Sequence, residues 1–302
     1  MPKSATPRDL PLGAPVLAVT RGASVESVHR GSIAVVDAAG RLLASFGDPL
    51  VPVFLRSAAK PFQLVPFLAA GGERKFRLTT EEIALAAASH AGEPSHTAAA
   101  ERMLAKGAFT PEDLRCGAHA PASERAARAL ALRGEEPSAL HNNCSGKHSA
   151  MLLACRLFGE DPATYTAPKH PLQKRILSLL SRMTDVDEAR IGIAVDGCSA
   201  PVFRMPLASL ALGYARLAAE RAPRESARER DARKRIFRAM TAAPEMVSGA
   251  GRFTTELIAA YAGRLVGKEG ADGVYAVSVA SSIARAPAGG PVGIALKIED
   301  GS

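Results

Sequence analysis

Tryptophan is absent from this 302-residue chain, and the other aromatics amount to 10 Phe and 4 Tyr. With so few rings, and none interleaved with basic residues, stacking platforms for nucleic-acid bases are not available. No stretch reaches the roughly 20 uninterrupted apolar residues that a bilayer-spanning helix needs. The opening residues, MPKSATPRDLPLGAP, lack the apolar centre of a secretory signal, so the expected location is the cytoplasm. Cysteines number four, at 116, 144, 155 and 198. Without a secretory signal they do not make a disulfide framework. Internal repeats and convincing linkers are also missing.

What is present is a soluble composition with 47% apolar residues and a net charge of +8. A basic balance can point to nucleic acid. Here much of it sits in RLAAERAPRESARERDARKRIFR, residues 216–238, where acids interrupt the arginines. That pattern predicts one or two solvated, salt-bridged helical faces. The chain is long enough to bury a large core without splitting. Residues 1–302 are therefore expected to form a single domain, with a helical subdomain over about 80–190.

Strands are expected at PVLAVTRG and GSIAVVDAAGRLLASFG, the latter turning at Ala38-Ala39-Gly40, and again at DGVYAVSVA and GGPVGIALKIED. Between them lie helical segments at KPFQLVPFLAAGG, TTEEIALAAASHAG, EPSHTAAAERMLAKG, SERAARALALRG, KHSAMLLACRLFG, HPLQKRILSLLSRM and PLASLALGYARLAAER. Thr79, Thr80 and Glu82 supply a capping signature. Strands at both ends with helices between them are not the alternation of a parallel sheet. The expected class is α+β: an antiparallel sheet from the N- and C-terminal segments, packed against a central helical region.

Four polar segments could carry chemistry. In LRSAAKPFQ, Ser57 and Lys60 fall on one face if a helix starts at or just after Ser57. A neutral Lys can then deprotonate the hydroxyl, as in S-x-x-K hydrolases. Taken alone, an N-cap Ser with a surface Lys is the plainer reading. In AAASHAGEPSHT, Ser89 and His90 end an Ala-rich helix, as a polar cap or as a hydroxyl facing a site. HNNCSGKHSAMLLAC puts Cys144, Lys147 and His148 within one helical turn, after Asn143. AVDGCSAP puts Asp196 and Cys198 at the end of an apolar strand, a common place for site residues. Cys155, in AMLLACRLF, reads as a small buried apolar residue, and Cys116 carries no signal. Two Cys from separate segments do not by themselves indicate zinc.

Together, RSAAKPFQ, SHAGEPSH, HNNCSGKHSAML and DGCSAPVF closely resemble the asparaginase II family, the rhizobial-type L-asparaginases, from about Val16 onward. The resemblance implies a fold like serine β-lactamases and glutaminases. It implies hydrolysis of L-asparagine to L-aspartate and ammonia, by a homodimer whose partner is a small molecule rather than nucleic acid or membrane. It implies one Zn2+ held by Cys144, Lys147 and Cys198, with Asp196 beside it holding its water. It matches Ser57 with Lys60 as one Ser-Lys pair and Ser89 with Lys268, in VGKEGADGVY, as another. Arg56, His90, Asn143, His148 and Asp196 are implied to face the substrate. The S-D-N and K-[ST]-G companions of β-lactamases are absent, which argues against β-lactam chemistry. Family members usually continue past the segment matching KIEDGS, so a further terminal helix is expected. The rival readings are a hydrolase whose zinc-held water attacks another small amide, a zinc-stabilised binding domain without activity, and a peptidoglycan-directed acyltransferase, disfavoured by the absence of an export signal.

Overall fold

The computed structural model describes residues 13–281 and 290–301. Its elements run β1 (Ala14–Arg21), β2 (Ser24–Asp37), β3 (Leu42–Phe46), β4 (Pro52–Phe54), α1 (Lys60–Ala69), α2 (Gly72–Phe76), α3 (Thr80–Ala86), α4 (Pro94–Lys106), α5 (Glu124–Leu132), α6 (Ser145–Phe158) and α7 (Pro171–Thr184). They continue β5 (Gly192–Val195), β6 (Pro201–Pro206), α8 (Leu207–Ala218), α9 (Ala227–Ala242), α10 (Pro244–Val247), α11 (Phe253–Ala260), β7 (Leu265–Gly270), β8 (Val274–Val279) and β9 (Val292–Ile298).

The main sheet is antiparallel, in the order β1-β2-β9-β8-β7, with β3 paired to β2. It joins the two ends of the chain, as an α+β reading requires. Residues along β8 alternate between buried and half-buried, the period-2 mark of a sheet covered mainly on one face. The cover is α8, which lays Leu210, Ala211 and Tyr214 into the core. Gly293 in β9 permits this approach, because a Cβ there would collide with the Ala211 carbonyl. Helices α1, α6, α7 and α9 pack beyond α8 and around one another.

Two features differ from the sequence reading. A second, three-stranded sheet, β4-β6-β5, joins the apolar strand expected before Asp196 to two further short strands, β4 and β6, that the sequence does not signal. The Arg-rich run is also not wholly solvated. Arg216 and Arg233 are 2% and 1% exposed. Arg216 donates to Asp185, and Arg233 donates to Glu225 and to the Leu217 and Ala219 carbonyls at the end of α8. Their guanidinium forks satisfy helix-end carbonyls, which a charge-pattern reading does not reveal.

The α3 prediction is met in detail. Thr79 caps the helix, and Thr79 and Glu82 bond each other's backbone in a capping box. This fixes where α3 begins; the helix closes at Ala87, whose N–H bonds the Ala84 carbonyl, and the Ala87–His90 segment leaves from there.

Candidate active site

Three chain segments meet around Ser89. The residue lies just past α3, its N–H donating to the Val247 carbonyl at 3.0 Å. Lys60, at the start of α1, donates from Nζ to Ser89 Oγ at 3.0 Å, to Asn143 O at 3.1 Å and to Ala88 O. Lys268, on β7, donates from Nζ to Ser89 Oγ at 2.8 Å and to Glu269 O at 2.9 Å. Ser89 is 8% exposed, while Lys60 and Lys268 are 1% and 0% exposed. Burial pulls the Lys268 ammonium down to about 8, helped by the charge of Lys60 and resisted by Glu269. Glu269 stays ionised despite burial, because Lys268, Thr254 and Ser248 hold its carboxylate.

The structure therefore brings Lys60 to Ser89, not to Ser57. A short 3-10 turn at Arg56–Ala59 precedes α1. Among the described residues, no hydrogen bond links Lys60 to Ser57. Nor is Lys60 on the surface. Ser57 lines a cleft of about 240 Å3 together with Arg56, His119, Asn143, Cys144, Asp196 and Cys198.

The second wall of the cleft is the start of α6. Asn142 donates to the Cys116 and Gly117 carbonyls and accepts the Cys144 N–H at 2.9 Å. This side-chain turn sets Cys144 at the helix N-terminus. Gly146 lets α6 approach α3, since a Cβ there would collide with Leu85. The third wall is the turn after β5. The Asp196 N–H bonds Ala200 O, and Ser199 takes a positive φ of 67°, presenting Cys198 inward.

Lys147 Nζ donates to Cys198 Sγ at 3.1 Å. A hydrogen bond from the Cys198 thiol holds the Cys144 thiol well below its usual range against burial, helped by Lys60 and Lys147. Cys198 is correspondingly pushed up and keeps its proton, because of Cys144 and then burial. Burial pulls Lys147 down, but Cys144, Cys198 and Asp196 outweigh it and raise the amine to about 12. Two sulfurs and an amine, all buried and each bonded to Cys198 or part of it, are a donor set that suits a borderline-soft cation such as zinc. Binding it there would require the amine to release its proton.

Arg56, at a positive φ of 48°, places Nε 3.0 Å from Asp196 Oδ1 and also pairs with Asp272. Asn143 meets the site through its backbone, since its carbonyl accepts from Lys60 and its N–H donates to His119 Nε2 at 3.1 Å. Two sequence candidates lie elsewhere. His90 is buried, with its rings 5.0 Å from His96, and bonds Ser145 Oγ at 2.9 Å and the Gly92 N–H. Burial holds it well below the usual imidazole range. His148 Nδ1 hydrogen-bonds the Tyr165 hydroxyl at 2.7 Å, and its buried Nε2 has no partner among the described residues. Neither is in the cleft lining. His119 and Glu269 were missed: His119 sits in a loop with no pattern, and Glu269 joins the group through its ion pair with Lys268.

A family model for L-asparaginase II matches residues 17–302. The chain belongs to the L-asparaginase II family. Membership makes it an amidohydrolase with a small amide as substrate. Among curated protein sequences none matches this chain. Similar solved structures include the Bacillus subtilis glutaminase YbgJ in covalent complex with 5-oxo-L-norleucine, at 13% identity, covering 88% of this chain and 79% of that chain, with a TM-score of 0.38. Another is a probable glutaminase from Bacillus subtilis complexed with 6-diazo-5-oxo-L-norleucine, at 14% identity, 88% and 76% coverage and a TM-score of 0.36. A third is Mglu in its native form in 4.3 M NaCl, at 17% identity, 90% and 56% coverage and a TM-score of 0.35. Likenesses of that size carry nothing about the site. Among the described residues, no helix is long and apolar enough to cross a membrane.

Proposed function

We propose that the protein hydrolyses the side-chain amide of L-asparagine to L-aspartate and ammonia, with Ser89 as nucleophile and Lys268 as its base. The observation that carries this is Ser89 Oγ held between the Lys268 and Lys60 amines, at 2.8 and 3.0 Å. A serine hydroxyl needs an adjacent base to attack at neutral pH. An amine lowered to about 8 is partly neutral there.

Ser89 Oγ bonds to the carboxamide carbon as its proton passes to neutral Lys268. The tetrahedral adduct collapses, its C–N bond breaks, and the nitrogen leaves as ammonia carrying that proton. Water then adds to the ester under the same lysine, and aspartate leaves. Lys60 donates to Ser89 Oγ throughout, stabilising negative charge as it develops. Arg56 and Asp196 offer one cation and one acid at the cleft, the complement of a zwitterionic amino acid. Cys144, Lys147 and Cys198 would hold a zinc ion, which when bound polarises a nearby carbonyl as a Lewis acid.

A second reading has Ser57 attack while Ser89 and the lysines relay its proton. It is favoured by the placement of Ser57 in the cleft lining. The first test is ammonia release from asparagine by the purified protein. No release from asparagine, with release from another small amide, overturns the proposed substrate.

A further inference from the structure

At the far end of α6 from the cleft, Cys155 Sγ, a Glu160 carboxylate oxygen and a His170 ring nitrogen lie within 4.8 Å of one another. Cys155 and Cys144 are about 16 Å apart along the helix, at about 1.5 Å per residue. None of the three residues enters the hydrolysis above. Cys155 is fully buried and His170 is 6% exposed.

Three details point to a ligand. Glu160 Oε1 pairs with Arg175, but Oε2 is buried with no hydrogen-bond partner among the described residues. A buried carboxylate oxygen without a donor is costly unless a cation satisfies it. His170 Nε2 donates to the Asp161 carbonyl at 3.0 Å. That bond selects the tautomer whose Nδ1 carries the lone pair, the arrangement typical of a metal-bound histidine. Nδ1 lies 3.9 Å from Glu160 Oε2 and, among the described residues, otherwise accepts only a 3.2 Å bond from the Leu172 N–H. The geometry is also braced: the Glu160 N–H bonds Cys155 O at 2.9 Å, and Arg175 stacks 4.3 Å over Phe158.

We propose that Cys155, Glu160 and His170 bind one borderline-soft divalent cation of the zinc class, tying the end of α6 to the start of α7. Sulfur, nitrogen and oxygen donors with one position left open suit zinc better than magnesium or calcium, which prefer oxygen alone. On binding, the Cys155 S–H bond breaks as the sulfur–metal bond forms, and the proton leaves to water. Nδ1 exchanges its Leu172 contact for the cation. This site is separate from Cys144, Lys147 and Cys198, and it stands whether or not those three bind metal.

The test uses the chelator-stripped full chain titrated with zinc chloride, with bound equivalents counted by elemental analysis and the thermal midpoint followed. Glu160→Gln keeps shape and fold, and His170→Asn keeps a side chain that can cap α7. Both variants are expected to bind one equivalent fewer than the unaltered protein, to lose the zinc-dependent rise in thermal midpoint at this site, and to keep asparagine hydrolysis. Cys144→Ser is expected to retain this equivalent. Cobalt chloride added to Cys144→Ser/Cys198→Ser should give a thiolate-to-metal absorption band that Cys155→Ala removes. Equal zinc content in the unaltered protein and both Glu160→Gln and His170→Asn overturns the proposal. A cobalt band that survives Cys155→Ala overturns it equally.

Discussion

Lys268 Nζ lies 2.8 Å from Ser89 Oγ, with the two residues brought together from β7 and from the segment after α3. Lys268 works as a base only when neutral, and its buried ammonium titrates near 8. Below that pH the amine is protonated and inactive; above it the amine is free. The kcat/KM for asparagine should therefore rise through about pH 8 and level off. Lys60 contributes to the lowering, so Lys60→Met should shift the rise of its residual activity to higher pH. A profile that falls between pH 7 and 9 contradicts this assignment.

Removing the nucleophile is the severest single change. Ser89→Ala should lower kcat by about three orders of magnitude or more, the usual scale for a member of a coupled catalytic set. Lys268→Met should lose about as much, and Ser89→Ala/Lys268→Met little more than either. Ser57→Ala should cost less, and more in KM than in kcat. Circular dichroism should show all of them folded. If Ser57→Ala is the dead variant and Ser89→Ala retains most activity, Ser57 is the nucleophile.

Metal content checks the opposite wall of the cleft. Cys144→Ser or Cys198→Ser should each remove one zinc equivalent, since a hydroxyl is a far poorer ligand than a thiolate. Cys116→Ser should not. Lys147→Arg should remove the same equivalent, because guanidinium keeps its proton and offers no lone pair. Since Lys147 stands at about 12 with its sulfur and Asp196 neighbours, zinc uptake at this site should release protons and tighten as pH rises. Full zinc affinity in Lys147→Arg removes the lysine from the ligand set.

The buried ion pair under α9 can be tested by stability alone. Arg233 and Glu225 side chains are 1% and 4% exposed. Arg233→Met leaves an uncompensated carboxylate and orphans two carbonyls at the end of α8. It should cost about 3–5 kcal/mol in denaturant unfolding. Arg233→Met/Glu225→Leu should recover a large part of that. A cost under about 0.5 kcal/mol for the single change, the scale of ordinary surface substitutions, contradicts the reading.

Much of this was legible because it rests on local signals. The capping box at Thr79 and Glu82 and the terminal strands each depend on a few neighbouring residues. The pairing of Lys60 with Ser89 was not legible. Spacing puts Lys60 near Ser57, but the 3-10 turn before α1 and the approach of α3 give its amine to a residue 29 positions away. The position of Lys268 was suggested only by family resemblance, because β7, with two glycines in six residues, lacks an alternating apolar pattern. Burial of Arg216 and Arg233 is likewise a tertiary outcome. The chain's many arginines look alike until helix ends need donors. Cys155 looks like packing from sequence, since Glu160 and His170 reach it only across a loop.

The most direct measurement is to inactivate the protein with a diazoketone analogue of asparagine and map the modified peptide by mass spectrometry. The account predicts one adduct per chain on Ser89, formed faster above about pH 8 and absent in Ser89→Ala. An adduct on Ser57, formed at an undiminished rate in Ser89→Ala, would contradict it.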